Sequence, residues 1–348
     1  MDSGMFKKFE ENLKRLTKET IRSVKLEEGR KEDTLKRKEL ISKIEALILE
    51  LVKSLKAEQP LKFVAANLRD WDNCVFNDKL CLKNEEATTQ EIKFDAKHSQ
   101  RNFTIIMHLL AKLHILLIKD STITRRELYY EDVQLMKNQN EVDRAIKIIC
   151  CILNTPPWNL KVFGTSKGLI AGALTFKTKS KELIDCSVAG GVQIPQDVLS
   201  LTPTSKALFI LVVEKDAVFQ KLLDEKILKH FQPMILITGK GFPDVNTRLL
   251  VRLLWKTLMI PVFLLADADP HGIEIMSVYR FGSLSLSQHS EMLAVPAIRW
   301  LGVHPSDIRT YNLKTVPFKK TDEDKILSLS TRSYSVTNQH LLKEASLM

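Results

Sequence analysis

Paired cysteines are what this chain most plainly lacks. Its five cysteines, Cys74, Cys81, Cys150, Cys151 and Cys186, form no CxxC pair and are odd in number. That argues against both a disulfide framework and a zinc site, and a reducing compartment fits best. A secretory signal is also missing, since the opening MDSGMFKKFEENLKRL is charged throughout, and an intracellular protein is expected. The longest apolar stretch, Ile105 to Ile118, is interrupted by His108, Lys112 and His114 and is too short to span a bilayer. Gly164, Gly168 and Gly172 lack the spacing and the Lys-Ser/Thr ending of a phosphate-binding loop, and no other ATP-binding motif is present. From Met1 to about Ala57 there is no proline, and Gly4 and Gly29 are the only breakers.

What is present is ordinary in bulk and uneven in charge. At 348 residues the chain exceeds one typical core, so two or three domains are expected. Apolar content of 44% and charged content of 27% belong to a folded globular protein. The net charge of +10 suggests a polyanionic partner, with DNA or RNA ahead of a membrane surface.

Along the chain, Leu40, Ile41, Ile44, Leu47, Ile48, Leu51 and Leu55 recur at helical steps. They describe an amphipathic helix that either packs on its own domain or forms an arm for a partner. Helices are expected over 105–118 and 143–153, the latter stopped by Pro156-Pro157. Between them Thr124 and Glu127 have capping-box spacing, so a helix should begin near Arg125. Three short helices followed by strands suggest a winged-helix module, by analogy with helix-turn-helix architecture. The segment 161–176, two apolar runs around a Gly/Ser/Thr-rich turn, reads as a hairpin or wing.

The final third alternates strand and helix. Leu208–Val213 ends in Glu214-Lys215-Asp216 and is followed by a helical pattern to His230. Met234–Thr238 ends in Gly239-Lys240-Gly241-Phe242, with a helix over Arg248–Leu258. Pro261–Ala266 ends in Asp267-Ala-Asp269 before a helical pattern resumes at Ile273. Successive βα units mean a mostly parallel sheet whose strands end along one edge, where α/β proteins gather ligands. Asp267 and Asp269 alone would merely make a turn and cap the next helix. With Glu214 on the same edge they form a hard-oxygen set suited to magnesium; the alternative is a solvated acidic rim paired to Lys215 and Lys240.

Glutamate on one strand and DxD two strands later resemble the Toprim fold. More specifically, 208-LFILVVEKDAVFQKLL-223, 235-ILITGKGFPDVNTRLL-250, 265-LADADPHGIEIM-276 and 295-VPAIRWLG-302 resemble the topoisomerase VI A-subunit family. Within it the likeness is greatest to the eukaryotic topoisomerase-like branch that makes meiotic double-strand breaks. The upstream 125-RRELYY-130 and 164-GTSKGLIAG-172 fit the same order, and the resemblance covers roughly 105–313. It implies an α/β multidomain chain: an N-terminal helical arm (1–60), a winged-helix, CAP-like domain with a nucleophilic tyrosine (61–200), and a Toprim domain (201–348). The chain ends soon after Leu342, somewhat short for the family.

A tyrosine nucleophile needs help, because its ordinary pKa is about 10. Tyr129 and Tyr130 compete. On a helix over 125–137, Tyr130 shares a face with Arg126, Gln134 and Lys137, whereas Tyr129 lies with Val133 and Met136. The family places the nucleophile second in the pair, so both routes choose Tyr130, with Arg126 to assist the phenol or hold the phosphate. Glu214, Asp267 and Asp269 are the expected Mg2+ ligands. Lys167, Lys240, Phe242 and Arg248 are expected to contact DNA by position, and His271 either touches phosphate or merely shapes the turn. The resemblance further implies a 5′-phosphotyrosyl link and a homodimer in which one protomer's tyrosine meets the other's metal edge. It also implies a separate ATPase-like B-type partner, other meiotic break-formation proteins, and a nuclear, chromosome-associated location. A topoisomerase VI A-type chain that reseals its cuts, a non-catalytic DNA-binding scaffold and a DxD phosphatase are the alternatives.

Overall fold

The computed structural model describes residues 3–28, 37–68, 70–83, 86–231 and 233–347; the expected breaker Gly29 lies outside them. Two helices lead, α1 Ser3–Glu28 and α2 Arg37–Lys56. α2 buries Leu40, Ile44 and Leu51 and leaves Leu49, Val52 and Leu55 exposed. Next come β1 Lys62–Ala66, the hairpin strands β2 Cys74–Asn77 and β3 Lys79–Leu82, and β4 Thr89–Lys93, which returns antiparallel to β1.

A helical unit follows: α3 Gln100–Lys119, β5 Ile123–Thr124, α4 Arg125–Glu131, α5 Gln139–Leu153 and β6 Val162–Phe163. The expected helices around 105–118 and 143–153 are α3 and α5. At 20 residues α3 is longer than the apolar run suggested, and by length and composition it could cross a membrane. Its apolar face is instead packed: Phe103, Ile105, Ile106, Leu109, Leu110, Leu113 and Leu117 are buried in a cluster shared with α2, α4 and α5. Each such side chain contributes about 1.5–3 kcal/mol relative to exposure.

The stretch 161–176 is not a hairpin. β6 pairs in parallel with β5, matching Ile123 to Val162 and Thr124 to Phe163. The second apolar run, β7 Leu169–Gly172, leaves for the large sheet, where both its faces find cover. Gly172, the last residue of β7, lets the chain end lie close against β13, with φ +114° and no room for a β-carbon, which would lie 2.3 Å from the Met234 carbonyl oxygen. β8 Leu174–Lys177, β9 Leu183–Asp185, β10 Val192–Gln193 and β11 Thr202–Ser205 follow, with β8 central in a small antiparallel sheet between β11 and β9.

The remaining elements are β12 Phe209–Val213, α6 Asp216–Asp224, α7 Ile227–His230, β13 Met234–Thr238, α8 Val245–Leu258, β14 Val262–Leu265, α9 Pro270–Arg280, α10 Ser290–Leu293 and β15 Arg299–Gly302, then α11 Pro305–Thr310, α12 Lys320–Ser330, α13 Ser333–Thr337 and α14 Gln339–Ser346. The expected single helix to His230 is broken at Lys226, whose φ is +57°. Six strands form the large sheet in the order β10-β7-β13-β12-β14-β15. β13, β12, β14 and β15 run parallel; from before residue 200 come β7, antiparallel to β13, and β10, which pairs antiparallel with β7 and so runs in the direction of β13. β12 and β13 are buried at every position, which is why they read as unbroken apolar runs. Val213 pairs with Thr238 on one side and Leu265 on the other. The three central strands therefore end level, and Glu214, Gly239 and Ala266 begin a single edge.

Candidate active site

α4 starts at a capping box. Thr124 Oγ1 accepts the Glu127 N–H at 3.1 Å, and the Glu127 carboxylate accepts the Thr124 N–H at 2.7 Å. Leu128 is wholly buried and Tyr129 packs against the α3–α5 cluster, so helical geometry turns the next residue outward. Tyr130 is 58% exposed. Arg126, one turn earlier, donates its Nε–H to the Tyr130 hydroxyl oxygen at 3.2 Å and lies 5.7 Å from the ring centre. The helix stops at Glu131, with Asp132 as its C-cap, so Gln134 and Lys137 do not extend the expected face. Asp132 is tied back to α3, accepting from His108 at 2.8 Å and pairing with Lys112.

The second group of residues sits on the level edge of the sheet. Glu214, 9% exposed, donates its N–H to the Leu265 carbonyl at 3.0 Å, and its carboxylate accepts the Asp267 N–H at 2.9 Å. β12 and β14 are neighbours, so residues 53 apart in sequence meet directly. Burial pushes the Glu214 carboxyl up, and Asp267 and Asp269 push it further; the Asp267 amide and Lys215 only partly oppose them. Asp267 pairs with Lys215, which that contact chiefly holds above the ordinary lysine value. Asp269 caps α9, its Oδ1 accepting the Gly272 N–H at 2.7 Å. Gly272 is required there, because a β-carbon would lie 2.1 Å from the Asp267 carbonyl oxygen. A cavity of about 520 Å³ opens beside the two aspartates, with Arg309 and Lys314 in its wall.

Both readings of the acidic edge thus leave marks. The cap and the Lys215 pair are structural uses of the aspartates. Among the described residues no three His, Cys, Asp or Glu side chains stand in the arrangement of a metal site. In kind the donors do fit a hard divalent cation: three carboxylates crowd one edge, and burial first, then the two aspartates, push Glu214 toward its protonated form.

The expected DNA contacts divide. Lys167 is exposed; its N–H donates to Asp244 at 2.8 Å and its Nζ to the Lys240 carbonyl at 3.2 Å. Lys240 pairs with Asp216 at 3.1 Å. Phe242 is 42% exposed, with its ring edge-on to His271 at 6.4 Å. His271 itself lies 3.8 Å from Asp322. These residues share one rim. Arg248 does not belong with them. It faces the interior at 2% exposure, donates to Ser283 Oγ at 3.2 Å, and burial pulls it down to about 10. Its place on the inner face of α8 corrects the expectation of a phosphate contact. Thr238 belongs to this edge as well. A lone hydroxyl closing an apolar strand before Gly-Lys-Gly was its signal, and it donates to the Glu214 carbonyl at 3.2 Å. No hydrogen bond, ion pair or ring contact among the described residues joins Tyr130 to the acidic edge.

Comparison with known proteins bears on both groups. The family model for the Toprim domain of Spo11 and the topoisomerase 6 A chain matches residues 209–348, and that of type IIB DNA topoisomerases matches residues 101–162. The chain is 41% identical over 312 residues to the meiotic recombination protein SPO11 of Mus musculus, covering 88% of this chain and 78% of that protein. Its identity to the Homo sapiens protein of the same name is 40% over 316 residues, covering 89% and 80%. The A-type chain of DNA topoisomerase 6 from Arabidopsis thaliana is 34% identical over 283 residues, covering 78% and 64%. With matching domain models in chain order and relatives of this identity along most of its length, the chain belongs to the Spo11/topoisomerase VI A-subunit family.

Proposed function

We propose that this chain is a topoisomerase-like transesterase that breaks duplex DNA to start meiotic recombination, with Tyr130 as nucleophile. The observation that carries this is the exposed Tyr130 hydroxyl with the Arg126 guanidinium on its oxygen, opposite a neighbour, Tyr129, that is packed away. The phenol oxygen attacks a backbone phosphorus and loses its proton. The bond from phosphorus to the 3′ oxygen breaks, and that oxygen leaves as a 3′-hydroxyl after gaining a proton. The product is a 5′-phosphotyrosyl link, which keeps the ester energy, so the cut consumes no ATP. Arg126 binds the phosphate and meets the negative charge that develops on its oxygens. Lys167 and Lys240 contact the DNA backbone beside the acidic edge, and Phe242 presses into a groove.

Glu214, Asp267 and Asp269 would hold Mg2+, which when bound supplies positive charge near the phosphate and the leaving oxygen. Glu214 is oriented for this by the Asp267 amide, and Lys215 neutralises Asp267 in the meantime. The separation of Tyr130 from this edge within one chain supports a homodimer in which each tyrosine works against the partner's edge. The helical unit around α3, α4 and α5 acts as the winged-helix DNA-binding module. A separate B-type partner and other meiotic break-formation proteins complete the assembly on nuclear chromosomes.

Covalent capture tests the reading. Labelled duplex DNA and Mg2+ are incubated with the wild-type dimer and its B-type partner, and label is sought on denatured protein. Adduct with wild type and Tyr129→Phe but not with Tyr130→Phe is expected; no adduct from a confirmed, DNA-binding assembly would sink the transesterase. The 34% identity to the A-type chain of a topoisomerase 6 favours a second reading, cleavage followed by resealing. Relaxation of supercoiled DNA without accumulated breaks would favour that one.

A further inference from the structure

Glu214 is gripped from both neighbouring strands. On the β14 side its N–H and its carboxylate are engaged by Leu265 and Asp267. On the β13 side its carbonyl oxygen accepts two donors, the Gly241 N–H at 2.8 Å and the Thr238 hydroxyl at 3.2 Å. Thr238 is wholly buried, and its Oγ1 also accepts the Lys240 N–H at 3.1 Å. The register explains the arrangement. Val213 is the last residue of β12 paired to β13, so beyond it Glu214 faces a turn instead of a strand. That turn departs through Lys240 and Gly241 at φ +54° and +85°, and the hydroxyl fills the place the ladder leaves open.

We propose that Thr238 is a positioning residue that sets Glu214 for metal binding; this rests on Glu214 being a ligand. A carbonyl held by one donor can still pivot. Held by two, it fixes the peptide plane that follows Glu214, and with it the direction of the Glu214 side chain. Supports of ligands commonly matter about 10–100-fold in metal affinity. The same hydroxyl joins Glu214 to the turn that carries Lys240 and Phe242 and receives the Lys167 ammonium. The turn is thus tied to Glu214 twice, by the Thr238 hydroxyl and by the Gly241 N–H.

The test is Mn2+ binding by the full chain, read by electron paramagnetic resonance of the free ion. Wild type is compared with Thr238→Val, Thr238→Ser, Thr238→Ala and Glu214→Gln. Thr238→Val keeps the volume, loses the hydroxyl, and is expected to bind about tenfold more weakly, while Thr238→Ser stays within about twofold of wild type. Serine and alanine share the missing methyl and differ in the hydroxyl, so their difference decides the matter if the valine variant does not fold. Equal affinity of the serine and alanine variants, with Glu214→Gln defective, overturns the positioning role. Undiminished binding by Glu214→Gln overturns the metal reading of the edge, and the inference with it.

Discussion

Arg126 and Tyr130 are one helical turn apart, and on an exposed helix face that spacing sets a guanidinium on a phenol oxygen. Arg126 is solvated and anchors nothing in the core. Arg126→Ala is therefore expected to leave the thermal melt unchanged and to lower adduct formation about 10²–10³-fold, the scale of losing one donor to a developing charge. Arg126→Lys should restore only part, since a point charge lacks the planar fork; full activity with alanine would remove Arg126 from the site. Glu214 makes a prediction of a different kind. Burial first, then the two aspartates, raise its carboxyl above 4.5, so the folded protein holds that proton more tightly than the unfolded chain does. Its stability contribution is full below the unfolded value and is lost as pH rises through the raised folded one. Glu214→Gln imitates the protonated acid and still accepts from the Asp267 amide. In EDTA it should melt above wild type near pH 8 and level with it near pH 4; a lower melt near pH 8 would contradict the crowding.

Two elements carry the candidate groups, and each depends on how it begins. α4 rests on its capping box, and Thr124→Ala is expected to cost about 1 kcal/mol in urea denaturation and to loosen the Arg126–Tyr130 turn. Unaltered stability would mean that the ties from Asp132 to His108 and Lys112 hold α4 without its cap. α9 begins at Asp269 and needs Gly272 for its first turn to approach the Asp267 carbonyl. Gly272→Ala forces the DxD turn and the helix apart, at a cost of about 1–3 kcal/mol typical of overpacking, and should weaken Mn2+ binding as well. Normal stability and binding together would show that the turn can yield.

At the scale of the whole molecule, α1 joins the large sheet to the chain's first strands. Phe9 meets Phe209 and Phe231 edge-on, and Val24 lies in the main core. Glu27 is buried between Arg252 of α8 at 2.5 Å and Lys79 of β3 at 2.7 Å. Burial would raise its carboxyl, but Arg252 and Lys79 outweigh that and hold it below 4.5. Stability from this group is therefore present above the unfolded value and is lost as pH falls through the lowered folded one. Glu27→Ala is expected to cost about 3 kcal/mol near neutral pH, because it strips a carboxylate from two buried cations. The deficit should shrink on acidification below the unfolded value, as urea melts across pH would show. A loss of a few tenths would mean that α1 merely rests on the sheet.

Much of this was readable along the chain, where neighbours in sequence decide the outcome. Thr124 and Glu127 announced a helix start because a cap acts within one turn. Tyr129 and Tyr130 separated because successive helical residues point about 100° apart. The apolar runs at 209–213, 234–238 and 262–265 had to be buried strands, and the acidic residues after them had to lie at strand ends. The tertiary structure alone decided what lies beside what. β12 sits between β13 and β14, which brings the Asp267 amide onto Glu214 and the Thr238 hydroxyl beneath it. The run at 169–172 left its apparent hairpin for the large sheet, and Arg248 turned inward on α8. Such outcomes depend on pairing and burial between residues tens of positions apart, and local spacing carries no record of them.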